Sequence, residues 1–148
     1  MLVDQKQIIL RNAIPQYDEG LYFARYLDMA TECFFRFMLG RNSQDILARA
    51  YLQPGHDLSY RNVMFAELDA RIVGMFCGFT AEQHHHSSRR VLGNAAGRWN
   101  LRMRIISALF APMMRIIDNL ADQDFYLQAI AIDADLQGQG IGSRLLDA

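Results

Sequence analysis

The chain has 148 residues, 51% of them hydrophobic and 21% charged, with a formal net charge of −1. That length suits one domain with one core, and the near-neutral charge supplies no global field to draw the protein onto nucleic acid or a membrane surface. The two cysteines, Cys33 and Cys77, make neither a zinc pattern nor a disulfide framework. Both stand in apolar surroundings, so they are expected to be reduced and buried, as in a cytoplasmic protein.

The first ten residues, MLVDQKQIIL, carry an early Asp and no long apolar core, so they do not read as a signal peptide. Gln7 to Ala13 is a predicted first strand, broken by Pro15. From Asp18 to Leu39 apolar residues recur at helical spacing (Leu21, Ala24, Leu27, Phe34, Phe35, Met38), with Gly40 as the C-cap. A shorter helix follows. Asn42 or Ser43 can cap it, Ile46, Leu47 and Ala50 form its apolar face, and Gln53 to Gly55 ends it. Asn62 to Thr80 holds two β-rich runs around the turn Leu68-Asp69-Ala70-Arg71. The usual glycine after Asp is absent there, which leaves the turn type open. Gly74 and Gly78 lie inside the second strand, where glycine permits a bulge or a close approach.

Ala81 to Arg98 is polar and reads as a mobile loop. Trp99 to Leu120 returns to helical spacing, with Pro112 as a kink or break. Its most apolar run, Ile105 to Ile117, is too short to span a bilayer and holds Pro112 and Arg115. Arg98, Arg102, Arg104 and Arg115 give it a basic face, read as the solvated side of a core helix in preference to a membrane-lying one. Asp124 to Asp133 is a strand whose two apolar faces predict a central position. A helix opens near Ile141. The order β, α, α, β, β, α, β, α predicts a mixed α/β fold.

The stretch DLQGQGIGSRLL, Asp135 to Leu146, places three glycines between that last strand and helix. Such a turn is an anion site, because glycines let successive N–H groups point into one concavity and the helix start adds its own unpaired donors. A Cβ at Gly138, Gly140 or Gly142 would stand in the way of a phosphate. Gln137 and Ser143 could add donors, and Arg144 charge. A P-loop fits poorly because the lysine is missing: Gly142 is followed by Ser143 and Arg144. A dinucleotide fingerprint fits poorly because Ser143 stands at its third glycine position. A nucleotide-binding protein using the same turn for another phosphate stays open as the weaker rival.

The segment YLQAIAIDADLQGQGIGSRLL resembles the coenzyme A-binding motif of the GNAT superfamily of acetyl-CoA-dependent N-acetyltransferases. The family signature of Arg or Gln, two residues, Gly, one residue, Gly or Ala is met by Gln137, Gly140 and Gly142. Ile130 to Ala134 resembles the strand end before it, with Ala134 where proline is common. The resemblance implies a mixed, mostly antiparallel sheet with helices on both faces, and acetyl-CoA as co-substrate without a metal. Coenzyme A would be held by Ile130, Ala131, Ile132, Gln137, Gly138, Gln139, Gly140, Ile141, Gly142 and Ser143. Its pyrophosphate would sit on the N–H groups from Gly138 to Ser143, and its pantetheine arm would pair with the main chain of Ile130 and Ile132. The implied activity is transfer of an acetyl or acyl group to a primary amine in a ternary complex. The rival is a non-catalytic module that binds coenzyme A as a sensor or interaction domain. The implied partner is a small-molecule or peptide amine, with neither nucleic acid nor membrane, and a homodimer stays open. The family continues past the glycine turn with further helices and strands, so the chain resembles the N-terminal part of a longer acetyltransferase and is expected to fold poorly or associate alone.

No catalytic residue is assigned. Asp133 and Asp135 read as turn-starting caps, and Glu67 and Glu82 as unselected bases. His84, His85 and His86 in a row suit a solvated loop, not a metal site. Cys77 reads as a core thiol. Phe34, Phe35 and Phe37 fall where GNAT relatives build the acceptor pocket, with at least two of them read as core.

Overall fold

The computed structural model describes residues 8–88, 90–119, 121 and 123–148. Gln7, Arg89 and Leu120, which close or fall within predicted elements, and the first residues of the chain lie outside that set. Four strands, β1 (Ile8–Asn12), β2 (Val63–Leu68), β3 (Arg71–Thr80) and β4 (Phe125–Ile132), form one antiparallel sheet in the order β1-β2-β3-β4. The hairpin forms without glycine: Asp69 and Ala70 both take left-handed backbone, the twist that a two-residue turn requires. The sheet bends twice. β3 carries an extra residue, Val73, between the pairs Gly74–Ala66 and Ile72–Glu67, and β4 carries Gln128 between Ala129–Cys77 and Leu127–Gly78.

Side chains alternate across this sheet and build two cores. On one face Val63, Phe65, Met75, Cys77 and Ala129 meet helices α1 (Tyr17–Ala30), α2 (Phe34–Leu39) and α3 (Ser43–Tyr51). On the other, Ala66, Val73 and Ile132 meet α7 (Ile141–Asp147) through Ile141 and Leu145. Helices thus cover both faces, as expected. Leu145 is buried and Leu146 is exposed. α1 and α3 approach so closely at Gly20 that a Cβ there would stand 2.8 Å from the Ala48 carbonyl oxygen.

The predicted helix from Asp18 to Leu39 is two helices. Glu32 and Cys33 take positive φ, and the Cys33 N–H donates to the Asp28 carbonyl at 2.9 Å, a six-residue closure that ends α1. Cys33 is therefore exposed, against the expected burial, while Cys77 is buried. Gly40 does end α2, with φ +82°. α3 begins after Asn42, whose side chain makes no capping bond, and Ile46, Leu47 and Ala50 are buried as expected.

The predicted loop from Ala81 to Arg98 holds α4 (Ala81–His85) and α5 (Arg90–Ala96), then a single 3-10 turn, Gly97–Trp99. Thr80 starts α4 with a capping box: its hydroxyl accepts from the Gln83 N–H at 3.1 Å, and the Gln83 side chain accepts from the Thr80 N–H at 2.8 Å. His84 is not solvated: it stacks on Phe79 at 5.5 Å, and its Nδ1 lies 2.6 Å from Asp57. α6 (Asn100–Asp118) continues through Pro112, forgoing one backbone bond. Met103, Ile106 and Phe110 join the larger core while Arg102, Arg104 and Arg115 are exposed, the arrangement expected of a core helix with a solvated basic face. Ile106 is buried, whereas Leu101, Ile105 and Leu109 are exposed. Arg102 donates twice to the Phe37 carbonyl. β4, expected to be central, is an edge strand among the described residues, with Phe125 and Leu127 exposed.

Candidate coenzyme A site

The glycine turn hangs on two anchors. The Asp133 N–H donates to the Val73 carbonyl at 2.9 Å and so extends the ladder one step past β4. A 3-10 turn, Ala134–Leu136, then buries Leu136 in the smaller core. From there the chain swings across the end of the sheet. Gln137 is extended, Gly138 has φ +77° and Gly140 has φ +82° immediately before α7. Left-handed backbone is costly for any residue with a Cβ, so glycine at these two positions is what permits the turn.

A Cβ built on Gly138 or Gly140 would meet no protein atom within 4 Å. The space in front of this backbone is open, which fits a diphosphate seated on it. Gly142 differs, because its Cβ would touch only the Ile130 side chain at 3.9 Å, an ordinary contact. The first intrahelical bond runs from the Arg144 N–H to the Gly140 carbonyl at 3.1 Å, so Ile141, Gly142 and Ser143 carry the donors of the helix start. Ser143 is exposed there.

The other side chains of the turn make bonds within the protein. The Gln137 amide donates to the Ile132 carbonyl at 3.0 Å, and Arg144 donates to the Ile8 carbonyl at 3.1 Å. The Gln139 side chain holds a buried oxygen without a hydrogen-bond partner. Ile130 and Ile132 point into the α7 core, Ala129 and Ala131 toward α1. β3 pairs with one edge of β4, and no described strand pairs with the other.

Two of the four candidate carboxylates, Asp133 and Glu67, are held in ion pairs. The Asp133 carboxylate does not cap the turn. It accepts from Arg25 at 2.6 Å and from the Tyr26 hydroxyl at 2.8 Å, tying α1 to the strand end. Burial first, then this carboxylate, push the Tyr26 phenol upward, so it remains a donor. Glu67 accepts from Arg11 at 2.7 Å. Glu82 and Asp135 are exposed. Phe34 and Phe35 pack against the larger core, whereas Phe37 is exposed under Arg102. Among the described residues no group of three or more His, Cys, Asp or Glu could hold a metal ion, and no helix is long and apolar enough to cross a membrane.

Cys77 is fully enclosed. Its thiol faces the Gln128 side chain at 3.3 Å, and burial, with the nearby Asp57 charge, pushes it up to about 12. Iodoacetamide at pH 8 is therefore expected to add one label per native chain, on Cys33. Two labels by intact-mass spectrometry would show that Cys77 opens to solvent.

The sequence profile of the acetyltransferase (GNAT) family matches residues 23–148, from the middle of α1 through the glycine turn and α7. The chain belongs to this family. No curated protein matches it significantly. Solved structures share the fold of this GNAT domain at low identity. One acetyltransferase superposes with a TM-score of 0.60 at 21% identity, covering 94% of this chain and 70% of its own. An N-acetyltransferase from Staphylococcus aureus Mu50 gives 0.61 at 15% identity, covering 94% and 73%.

Proposed function

We propose that this GNAT-family acyltransferase moves an acetyl group from acetyl-CoA to a primary amine by direct attack in a ternary complex. The observation that carries this reading is the glycine turn, with two left-handed glycines and open space in front of their backbone at the end of a strand that is an edge among the described residues. The diphosphate of the donor takes the N–H groups from Gly138 to Ser143. The pantetheine arm runs along the free edge of β4 beside Ile130, Ala131 and Ile132, pairing as an added strand would. That places the thioester toward the bulge at Gln128, where the extra residue re-aims backbone donors that can polarise the thioester carbonyl.

The amine must arrive neutral. Its nitrogen forms the new C–N bond, the C–S bond breaks, the thiolate leaves and is protonated, and the ammonium proton goes to a base or to water. The acceptor is a small-molecule or peptide amine.

The test is release of free thiol from acetyl-CoA in the presence of separate amine classes: a polyamine, an amino acid, an aminoglycoside and a lysine peptide. Thiol release that requires one of these amines is the expected result. Tight coenzyme A binding with no amine-dependent release from any class would instead support a non-catalytic coenzyme A-binding module.

A further inference from the structure

The helical segment between β3 and β4 borders an open space apart from the glycine turn. The space measures about 510 Å³ and is lined by Arg41, Arg98 and Trp99. A second space of about 210 Å³ shares Arg98 and Trp99 and adds Arg49 and Asn94. Together they form a groove between the start of α3, α5 and the Gly97–Trp99 turn. The larger space is in the range that holds small-molecule ligands.

Its charge is one-sided. Among the described residues no Asp or Glu lines either space. Arg49 is already held, by Asp45 at 3.0 Å and by the Ala95 carbonyl at 2.9 Å. Arg41 and Arg98 form no ion pair with any described residue. Arg98 lies over the Trp99 ring at 5.6 Å, which fixes its direction without neutralising it. The indole in turn is seated on Gly40, where a Cβ would come within 3.0 Å of the ring. Two unpaired guanidiniums on a wall with a fixed aromatic ring are suited to an oxyanion, which each can bind with paired hydrogen bonds.

We propose that this groove is a second binding site, for a small molecule bearing a phosphate or carboxylate group. It is separate from the glycine turn: α7 packs on the opposite face of the sheet from α3 and α5. It does not depend on what the turn binds.

Trp99 is the only tryptophan in the chain, so its fluorescence reads the groove directly. Inorganic pyrophosphate and citrate serve as probes, one for each chemistry. A saturable change with at least one of them is expected, with roughly tenfold weaker apparent affinity in both Arg41→Gln and Arg98→Gln. Arg71→Gln, which removes the same charge from the exposed hairpin, should leave the affinity unchanged. Saturation with pyrophosphate alone assigns a phosphate ligand, and with citrate alone a carboxylate. The proposal is overturned if neither anion gives a saturable change, if Arg41→Gln and Arg98→Gln bind as wild type does, or if Arg71→Gln weakens binding equally.

Discussion

A Gly140→Ala variant is expected to stay folded and yet lose roughly 100-fold in affinity for coenzyme A, about 2.7 kcal/mol. The two effects separate because of where the methyl would go. It meets no protein atom within 4 Å, so the folded chain suffers only the left-handed backbone cost at φ +82°, about 1–2 kcal/mol. The same methyl projects into the open space that the diphosphate is proposed to fill. Calorimetric titration with coenzyme A, beside thermal unfolding without ligand, separates the two quantities. An affinity equal to wild type would remove the diphosphate from this turn. Gly142→Ala is the natural comparison, because its methyl would only touch Ile130.

The largest loss of stability is expected at Glu19. This carboxylate is 6% exposed and sits where β1, α1 and α3 meet. It accepts from the Ile14 N–H at 2.9 Å, from the Tyr51 hydroxyl at 3.1 Å and from Arg11. Burial first, then the Glu19 charge, push the Tyr51 phenol upward, which keeps it a donor to that carboxylate. Glu19→Ala leaves the Ile14 N–H without its acceptor, the Tyr51 hydroxyl with the Ile14 carbonyl at 2.9 Å alone and Arg11 with Glu67 as its remaining carboxylate, a loss of about 1–3 kcal/mol. Urea unfolding measures it, and a loss below about 1 kcal/mol would contradict the role given to this node. Glu19 lies in the α1–α3 layer, so the coenzyme A affinity of the folded fraction should not change.

What was legible in the sequence follows from how local each signal is. The strands, the hairpin and the glycine turn announce themselves through neighbours within a few residues. Of the glycines in that turn, Gly138 and Gly140 adopt the left-handed geometry that glycine permits. The end of α1 was not legible, because Glu32 occupies the left-handed position that glycine usually marks. The start of α4 is legible locally: Thr80-Ala81-Glu82-Gln83 is a capping-box sequence, although the polar residues after it carry no apolar periodicity to extend the signal. His84 could not be placed from sequence, since its partners Asp57 and Phe79 are brought to it by the fold. The same holds for Asp133, whose bonds to Arg25 and Tyr26 span more than a hundred residues. α6 was legible as a helix with a core face, through Met103, Ile106 and Phe110, but its spacing does not show that Leu101, Ile105 and Leu109 are exposed.

The central claim is that the turn from Gln137 to Ser143 receives acetyl-CoA, and thermal unfolding with ligands tests it most directly. Acetyl-CoA, coenzyme A, ATP and NADH would each be added in large excess. A ligand at 100 times its dissociation constant adds about 2.7 kcal/mol of stability, enough to move the melting temperature visibly. Stabilisation by acetyl-CoA and coenzyme A, lost in Gly140→Ala, is the predicted result. Stabilisation by ATP or NADH with no response to either coenzyme would contradict it.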